Sequence, residues 1–452
     1  MNPIIILVAI ICGAVFLFTL IVAPKWLALT LWPVIMVYPH SLTYGMLPMN
    51  IGFDDLYLSL VFVAITLRLG MPRFSFPLKA VIIFYAIMFI SSMTGVLVTP
   101  VGIGQKVAKF LLKDLVFIMF TWTFLTSIRE EKDIRLHIFS FIISMTAACA
   151  IAFADIYNVP FAQLFYAKVE EVVYVRAIGP FLGPDVVGYT TLLPMFICLV
   201  GLTAQRKTFQ KTIFGIGAVI IGAALFASGS RLGWMAALFG LVFMFLMTRR
   251  RFILVIGGVL LLLIMARLVG SETWHQILHA NITRTVGQSG YGADARIVCW
   301  LDYLRNPYFA MLFCGRGMLA SEAAGLGTPH SGYLDALFLY GLVGTLFFGT
   351  VMYRVIKLSR WLSRNDYDPL LSVFAQGFFV GVVCWLVAAI PGDPLLSTHW
   401  LFGFFFTITI LWSRQEMLQA MGFLVPYPSK DIYAYDLEEE YSYVQENLSY
   451  PV

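Results

Sequence analysis

Polar residues in this chain are spaced as interruptions rather than as a repeating face. Long apolar runs follow one another, each of the roughly 17–25 residues that an α-helix needs to cross a hydrocarbon core. Reading them in order predicts helical spans at about 3–22, 26–39, 55–69, 79–98, 107–127, 136–156, 186–203, 212–227, 232–248, 252–269, 331–353, 368–390 and 397–413. The second is short and follows the tight turn Ala23-Pro24-Lys25, so the expected total is twelve or thirteen. The first has neither a basic residue before it nor a cleavage-site pattern, and reads as a retained helix rather than a signal peptide.

Between the runs the basic residues are sorted. Arg68, Arg73 and Lys79 share one loop; Arg129, Lys132 and Arg135 share the next alternate one. The series continues through Arg206, Lys207 and Lys211, then Arg249–Arg251, then Arg354, Lys357, Arg360 and Arg364. Every second loop is basic, and the positive-inside bias makes those loops cytoplasmic. The loops at 40–54, 157–185, 228–231, 270–330 and 391–396 then face outward. Residues 1–413 form one transmembrane domain on this reading, with 270–330 as its long outward loop. A cytoplasmic, solvated tail is expected over 414–452, rich in tyrosine and carrying Glu438, Glu439 and Glu440.

Composition agrees. The 452 residues are 60% hydrophobic and 12% charged, more apolar surface than a soluble chain could bury. The expected class is an all-α polytopic membrane protein. Its net charge of +5 is a topology signal rather than a nucleic-acid signal. Cys12, Cys149, Cys198 and Cys384 fall in apolar runs and read as inert core; Cys299 and Cys314 share the long loop and could pair there. No metal-ligand spacing is present.

Arginines in outward loops run against the sorting, and near a membrane they are costly unless paired. Four stand out: Arg176, Arg231, Arg296 and Arg316. Arg176 precedes a bend made by Gly179, Gly183 and Pro184, with Asp185 expected to cap the next helix. Arg231 lies in a hairpin with Ser228 and Ser230, a turn suited to offering a guanidinium and backbone amides to one phosphate. Lys106, Lys109 and Lys113 lie along one helix face, either snorkelling to lipid phosphates or lining an anionic cavity.

In the long loop, residues 292–318 predict a helix, opened by Asp294, Arg296 and Trp300 and followed by a turn at Cys314–Gly317. His275 and His279 are four apart, but Gln276 stands where a zinc-protease signature has glutamate. The stretch reads as an interfacial amphipathic helix. The loop ends at His330 and Ser331, with Asp335 about one turn on and Gly341 and Gly344 further down the helix. A histidine there is either a helix-start residue or a reactive one oriented by Asp335.

Together these residues resemble the O-antigen ligase and Wzy-type polysaccharide polymerase superfamily. The carriers are His330-Ser331 followed by the spaced Gly341 and Gly344, the Ser228–Arg231 turn, Arg176 with Gly179 and Pro184, Arg296 with Trp300, and Gly315-Arg316-Gly317. The likeness covers roughly 170–413; the first half matches in hydropathy only. Asp185 stands where the family commonly has asparagine. The resemblance implies a GT-C-like, metal-independent and cofactor-free glycosyltransferase in the bacterial inner membrane, its long catalytic loop facing the periplasm. Its donor would be an undecaprenyl-diphosphate-linked oligosaccharide and its acceptor a second glycan or lipid A–core. A flippase and a chain-length regulator join the bilayer as expected partners.

On that reading Arg176, Arg231, Arg296 and Arg316 hold the diphosphate, Lys109 and Lys113 steer it, and His330 acts on the acceptor. Ser228, Ser230, Ser331 and Asp335 support them. The residues agree in one respect: no nucleotide-binding glycine loop or DxD pair is present, so the donor must arrive activated. Polymerase is preferred over ligase, though the histidine motif does not separate them. A transporter should show inverted repeats and broken helices at mid-membrane; in this sequence the polar residues concentrate at one face and no repeat is visible.

Overall fold

The computed structural model describes residues 13–14, 24–37, 53–98, 104–157, 159–163, 177–181, 183–204, 207–247, 313–315, 331–390 and 398–427. Among them the chain is helical. The elements are α1 (Leu27–Val37), entered by a 3-10 turn at Pro24–Trp26, α2 (Phe53–Leu69), α3 (Phe76–Val98), α4 (Gly104–Ser127) and α5 (Glu131–Asp155). After the single turn α6 (Pro160–Gln163) come α7 (Pro184–Thr190), α8 (Leu192–Ala204), α9 (Thr208–Ala227) and α10 (Arg231–Met247). Then follow α11 (Gly332–Asn365), α12 (Pro369–Ala388) and α13 (Thr398–Ala420).

Eleven of the expected spans fall on these helices; the one at 252–269 lies outside the described residues, as does that at 3–22 apart from residues 13–14. Five helices, α3, α5, α9, α11 and α12, are long and apolar enough to cross a membrane, and the pair α7–α8, bent by 40°, makes a sixth. This is the architecture of a multi-pass membrane protein.

The interior is built around α12, which packs on α8, α10 and α11. Gly377 and Gly381 allow the approach of α8: a Cβ on either would strike the backbone of Ile197 or Leu193. A second centre is Trp32 of α1, fully buried, with the rings of Phe120, Phe141 and Phe406 at 5.5, 4.6 and 4.9 Å.

Three boundaries move by five residues or more. The helix expected at 331–353 runs on as α11 to Asn365, the one expected at 136–156 begins at Glu131, and the last continues beyond 413 to Ala420. The tail therefore starts later than 414. Arg414 and Gln415 are buried, and the chain from Met421 to Tyr427 folds back on α11 and α13. The physical reason is a partner supplied by the fold. Arg414 donates from Nε and Nη2 to both oxygens of Asp366, at 2.7 and 2.6 Å, and lies 3.5 Å from Glu131.

That ion pair belongs to a clamp at one end of the bundle. Arg135 bonds Asp368 at 2.8 Å and Glu131 at 3.2 Å, Lys25 bonds Asp133 at 3.0 Å, and Arg129 donates to Leu69 O at 2.6 Å. Lys25, Leu69, Arg129–Arg135, Asp366–Asp368 and Arg414, from segments expected on the cytoplasmic side, thus meet at a common end. The opposite end holds the finish of α5, the α9–α10 turn and the start of α11.

Candidate functional site

The α9–α10 turn is fixed by its own hydroxyls. Ser228 Oγ donates to Leu225 O at 2.7 Å and accepts from Ser230 N at 3.2 Å. Gly229 adopts a φ of 62°, which lets the chain reverse within one residue. Ser230 Oγ then accepts from Gly233 N at 3.3 Å, satisfying an N–H of the first turn of α10. Trp234 closes the turn, its Nε1 donating to Phe226 O at 3.1 Å and its ring stacked on Phe226 at 4.9 Å. Both serines are fully buried, so their hydroxyls build the turn rather than line a surface. Arg231, the first residue of α10, is exposed.

The segment after Arg176 docks directly beneath this turn. Ala177 N donates to Ala227 O at 3.0 Å, and Ala177 through Phe181 are buried. Gly179, at a φ of 50°, lies against the backbone of Ala152, and its N–H reaches Asp155 Oδ2 at 3.3 Å. The chain then enters α7, whose cap is Gly183 with Pro184 in the first position. Asp185 is therefore inside the first turn rather than the capping residue. An acid there still complements the helix dipole, and the rigid fit of Pro184 makes a side-chain cap unnecessary. α7 meets α10 where Gly188 faces Ser230 and Gly233; a Cβ on Gly188 would lie 2.6 Å from Ser230 Oγ.

At the same end α11 begins at Ser331, whose backbone is extended and whose side chain makes no capping bond. Gly332 N donates to Ala389 O at 2.8 Å, and Tyr333 OH to Leu386 O at 2.8 Å, so the start of α11 is tied to the end of α12. Asp335, bonded through its N–H to Ser331 O at 2.7 Å, is fully buried. A buried acid in a membrane protein is retained for a reason beyond packing.

Two turns further along, α11 breaks. Gly341 has a φ of 69°, and the space beside it is filled by the backbone of Phe313–Gly315, Gly315 itself at a φ of 77°. A break releases carbonyls that inside a bilayer need other donors; Ser91 of α3 donates to Leu339 O. Cys314 in the docked segment carries a free thiol.

Arg176, Arg296, Arg316 and His330 lie outside the described residues, and Lys106, Lys109 and Lys113 sit in α4 with their side chains outside them. The neighbours in sequence of three of these residues are nonetheless placed. Ala177 lies against the Arg231 turn, Gly315 lies in the break of α11, and Ser331 starts that helix. The docking of 313–315 had no signature in the sequence, since it depends on a tertiary meeting of two glycines.

Among the described residues no three His, Cys, Asp or Glu side chains gather as metal ligands. The class defined by fold is a multi-pass helical membrane protein with a polar, glycine-shaped end. No protein-family model and no curated protein matches the chain.

Proposed function

We propose that this protein is a glycosyltransferase that joins undecaprenyl-diphosphate-linked repeat units into a polysaccharide on the outer face of the bacterial inner membrane. The observation that carries the reading is the hydrogen bond from Ala177 N to Ala227 O at 3.0 Å. It fastens Ala177, the residue that follows Arg176 in sequence, to the end of α9, four residues before Arg231, which supports a shared role for the two arginines.

In the transfer, an acceptor hydroxyl oxygen attacks the anomeric carbon of the donor while the bond from that carbon to the diphosphate oxygen breaks. The leaving diphosphate takes the electron pair, and fixed cations lower the barrier by meeting that charge where it develops. Arg176 and Arg231 supply those cations, with Arg296 and Arg316 further along the donor. The hydroxyl proton passes to His330, which precedes in sequence the α11 start anchored through Gly332, with buried Asp335 in the first turn of that helix. Lys109 and Lys113 steer the lipid phosphate.

Purified full-length protein supplied with lipid-linked oligosaccharide tests this. Arg231→Ala and His330→Ala should each lower transfer by about 10²–10³-fold, the scale of losing one transition-state contact, while the elution profile and melting temperature hold. Undiminished transfer in both variants overturns the assignment. Glycans from a strain lacking the gene identify the acceptor. Loss of long polymer marks a polymerase, and polymer stranded on its lipid carrier marks a ligase to lipid A–core.

A further inference from the structure

Two groups of basic residues at the clamp end contrast. Lys25, Lys132, Arg135 and Arg414 are each ion-paired. Arg354, Lys357, Arg360 and Arg364 are exposed, and no ion pair among the described residues involves them. They stand three, three and four residues apart on the last third of α11, so they share one side of the helix. The other side is buried through Val355, Leu358 and Leu362. Beyond the break at Gly341, the stretch of α11 from Leu342 to Asn365 rises about 36 Å at 1.5 Å per residue, against a hydrocarbon core of about 30 Å. Four charges on one exposed side of a helix are tolerable only where water or headgroups reach them, so the stripe belongs at the membrane surface.

One end of the stripe already holds chain. The ring of Tyr427 lies 5.7 Å from the Arg354 guanidinium and 5.1 Å from Lys357 Nζ, and it stacks on Trp412 at 5.9 Å. Its carbonyl accepts from Gln415 Nε2 at 2.6 Å. The residues that follow are charged the other way: Asp431, Asp436, Glu438, Glu439, Glu440 and Glu446 against the single Lys430.

We propose that residues 428–452 bind the Arg354–Arg364 stripe of their own chain. The ten residues between the ends of the stripe rise about 15 Å. An extended chain from Asp431 to Glu440 spans up to about 30 Å, so carboxylates reach every cation. Because Tyr427 is anchored on the stripe, the acidic segment is held there at the millimolar effective concentration of a short tether. Tyr433, Tyr435, Tyr441 and Tyr443 add ring faces for guanidinium groups. Anionic lipid headgroups could meet the same cations, but they would lack this tether. The inference does not rest on the transfer chemistry at the opposite end.

Carbodiimide coupling of the full-length protein in neutral detergent tests it. Lys357 should become linked to a peptide containing Glu438–Glu440 within one chain. Yield should fall several-fold between ~0.05 M and ~1 M salt, as the screening length shrinks to about 3 Å. The triple change Glu438→Lys, Glu439→Lys and Glu440→Lys should abolish the link. Adding Arg360→Glu and Arg364→Glu should restore coupling, now between the introduced lysines and the introduced carboxylates. Absence of the link at low salt overturns the proposal, as does a link found only between two chains. If, in addition, the wild type retains phosphatidylglycerol and Arg360→Glu/Arg364→Glu releases it, the stripe belongs to lipid.

Discussion

Gly341 shows most directly how a single residue shapes the candidate site. Its φ of 69° is one that residues with a side chain avoid, and a Cβ there would overlap the Phe313 carbonyl and the Gly315 amide. Gly341→Ala should lower stability by at least the roughly 1–3 kcal/mol of a strained backbone site. Thermal unfolding in detergent followed by tryptophan fluorescence reads the loss. Gly349, on the same helix, has no atom within 4 Å of the place a methyl group would take, so Gly349→Ala is the control and should be neutral or slightly stabilising. The sequence showed Gly341 and Gly344 as spaced glycines below a histidine, without saying what they admit. The answer is another stretch of backbone, and no local pattern carries that information. The Ser228–Arg231 turn was legible because a short polar hairpin between two apolar runs leaves the chain few other conformations. Asp185 reads as a cap by residue type alone, but Pro184 moves the helix start back by two residues.

At the scale of elements, hydropathy located the spans but ended two of them too early and began a third too late. Arg354, Lys357, Arg360 and Arg364 stop the apolar run of α11, yet Val351, Val355, Leu358 and Leu362 continue at helical spacing and are buried. The longer helix was legible in that period and not in the mean hydropathy. Arg414 ends the last run for the same reason, and there the sequence held no clue, because Asp366 is 48 residues away. The pair is also the strongest candidate for a stabilising contact between elements, with side chains 2% and 0% exposed. Removing one partner strands a buried charge, which costs about 3–5 kcal/mol. Arg414→Ala should therefore destabilise by that amount. Arg135→Ala, which breaks the bond of a half-exposed arginine to Asp368, should cost about 1 kcal/mol or less. A cycle adding Asp366→Asn should return a coupling of about 1–3 kcal/mol for Arg414 with Asp366. Equal losses from Arg414→Ala and Arg135→Ala would show that burial does not set the strength of this clamp.

For the whole molecule, the two ends have different construction, and that difference makes orientation testable. One end is a clamp of charges that joins the start of α5, the α11–α12 turn and the finish of α13. The other is held by main-chain bonds and close glycine contacts around Ala177, Gly188, Gly332 and Gly341. Charges are affordable where water and headgroups reach them, whereas backbone-to-backbone closure is what a surface facing a large amphiphilic ligand needs if it is to stay in register. If the sorting of lysine and arginine reflects topology, the clamp faces the cytoplasm and the Arg231 turn faces outward. In a background with all six cysteines replaced by alanine, Tyr157→Cys reports on the second end and Lys207→Cys on the first, both native side chains being exposed. A membrane-impermeant maleimide added to intact spheroplasts should label Tyr157→Cys at once. Lys207→Cys should react only after permeabilisation. The reverse pattern would place Arg231 in the cytoplasm, where a donor presented on the outer leaflet could not reach it, and the proposed transfer would fall with the topology.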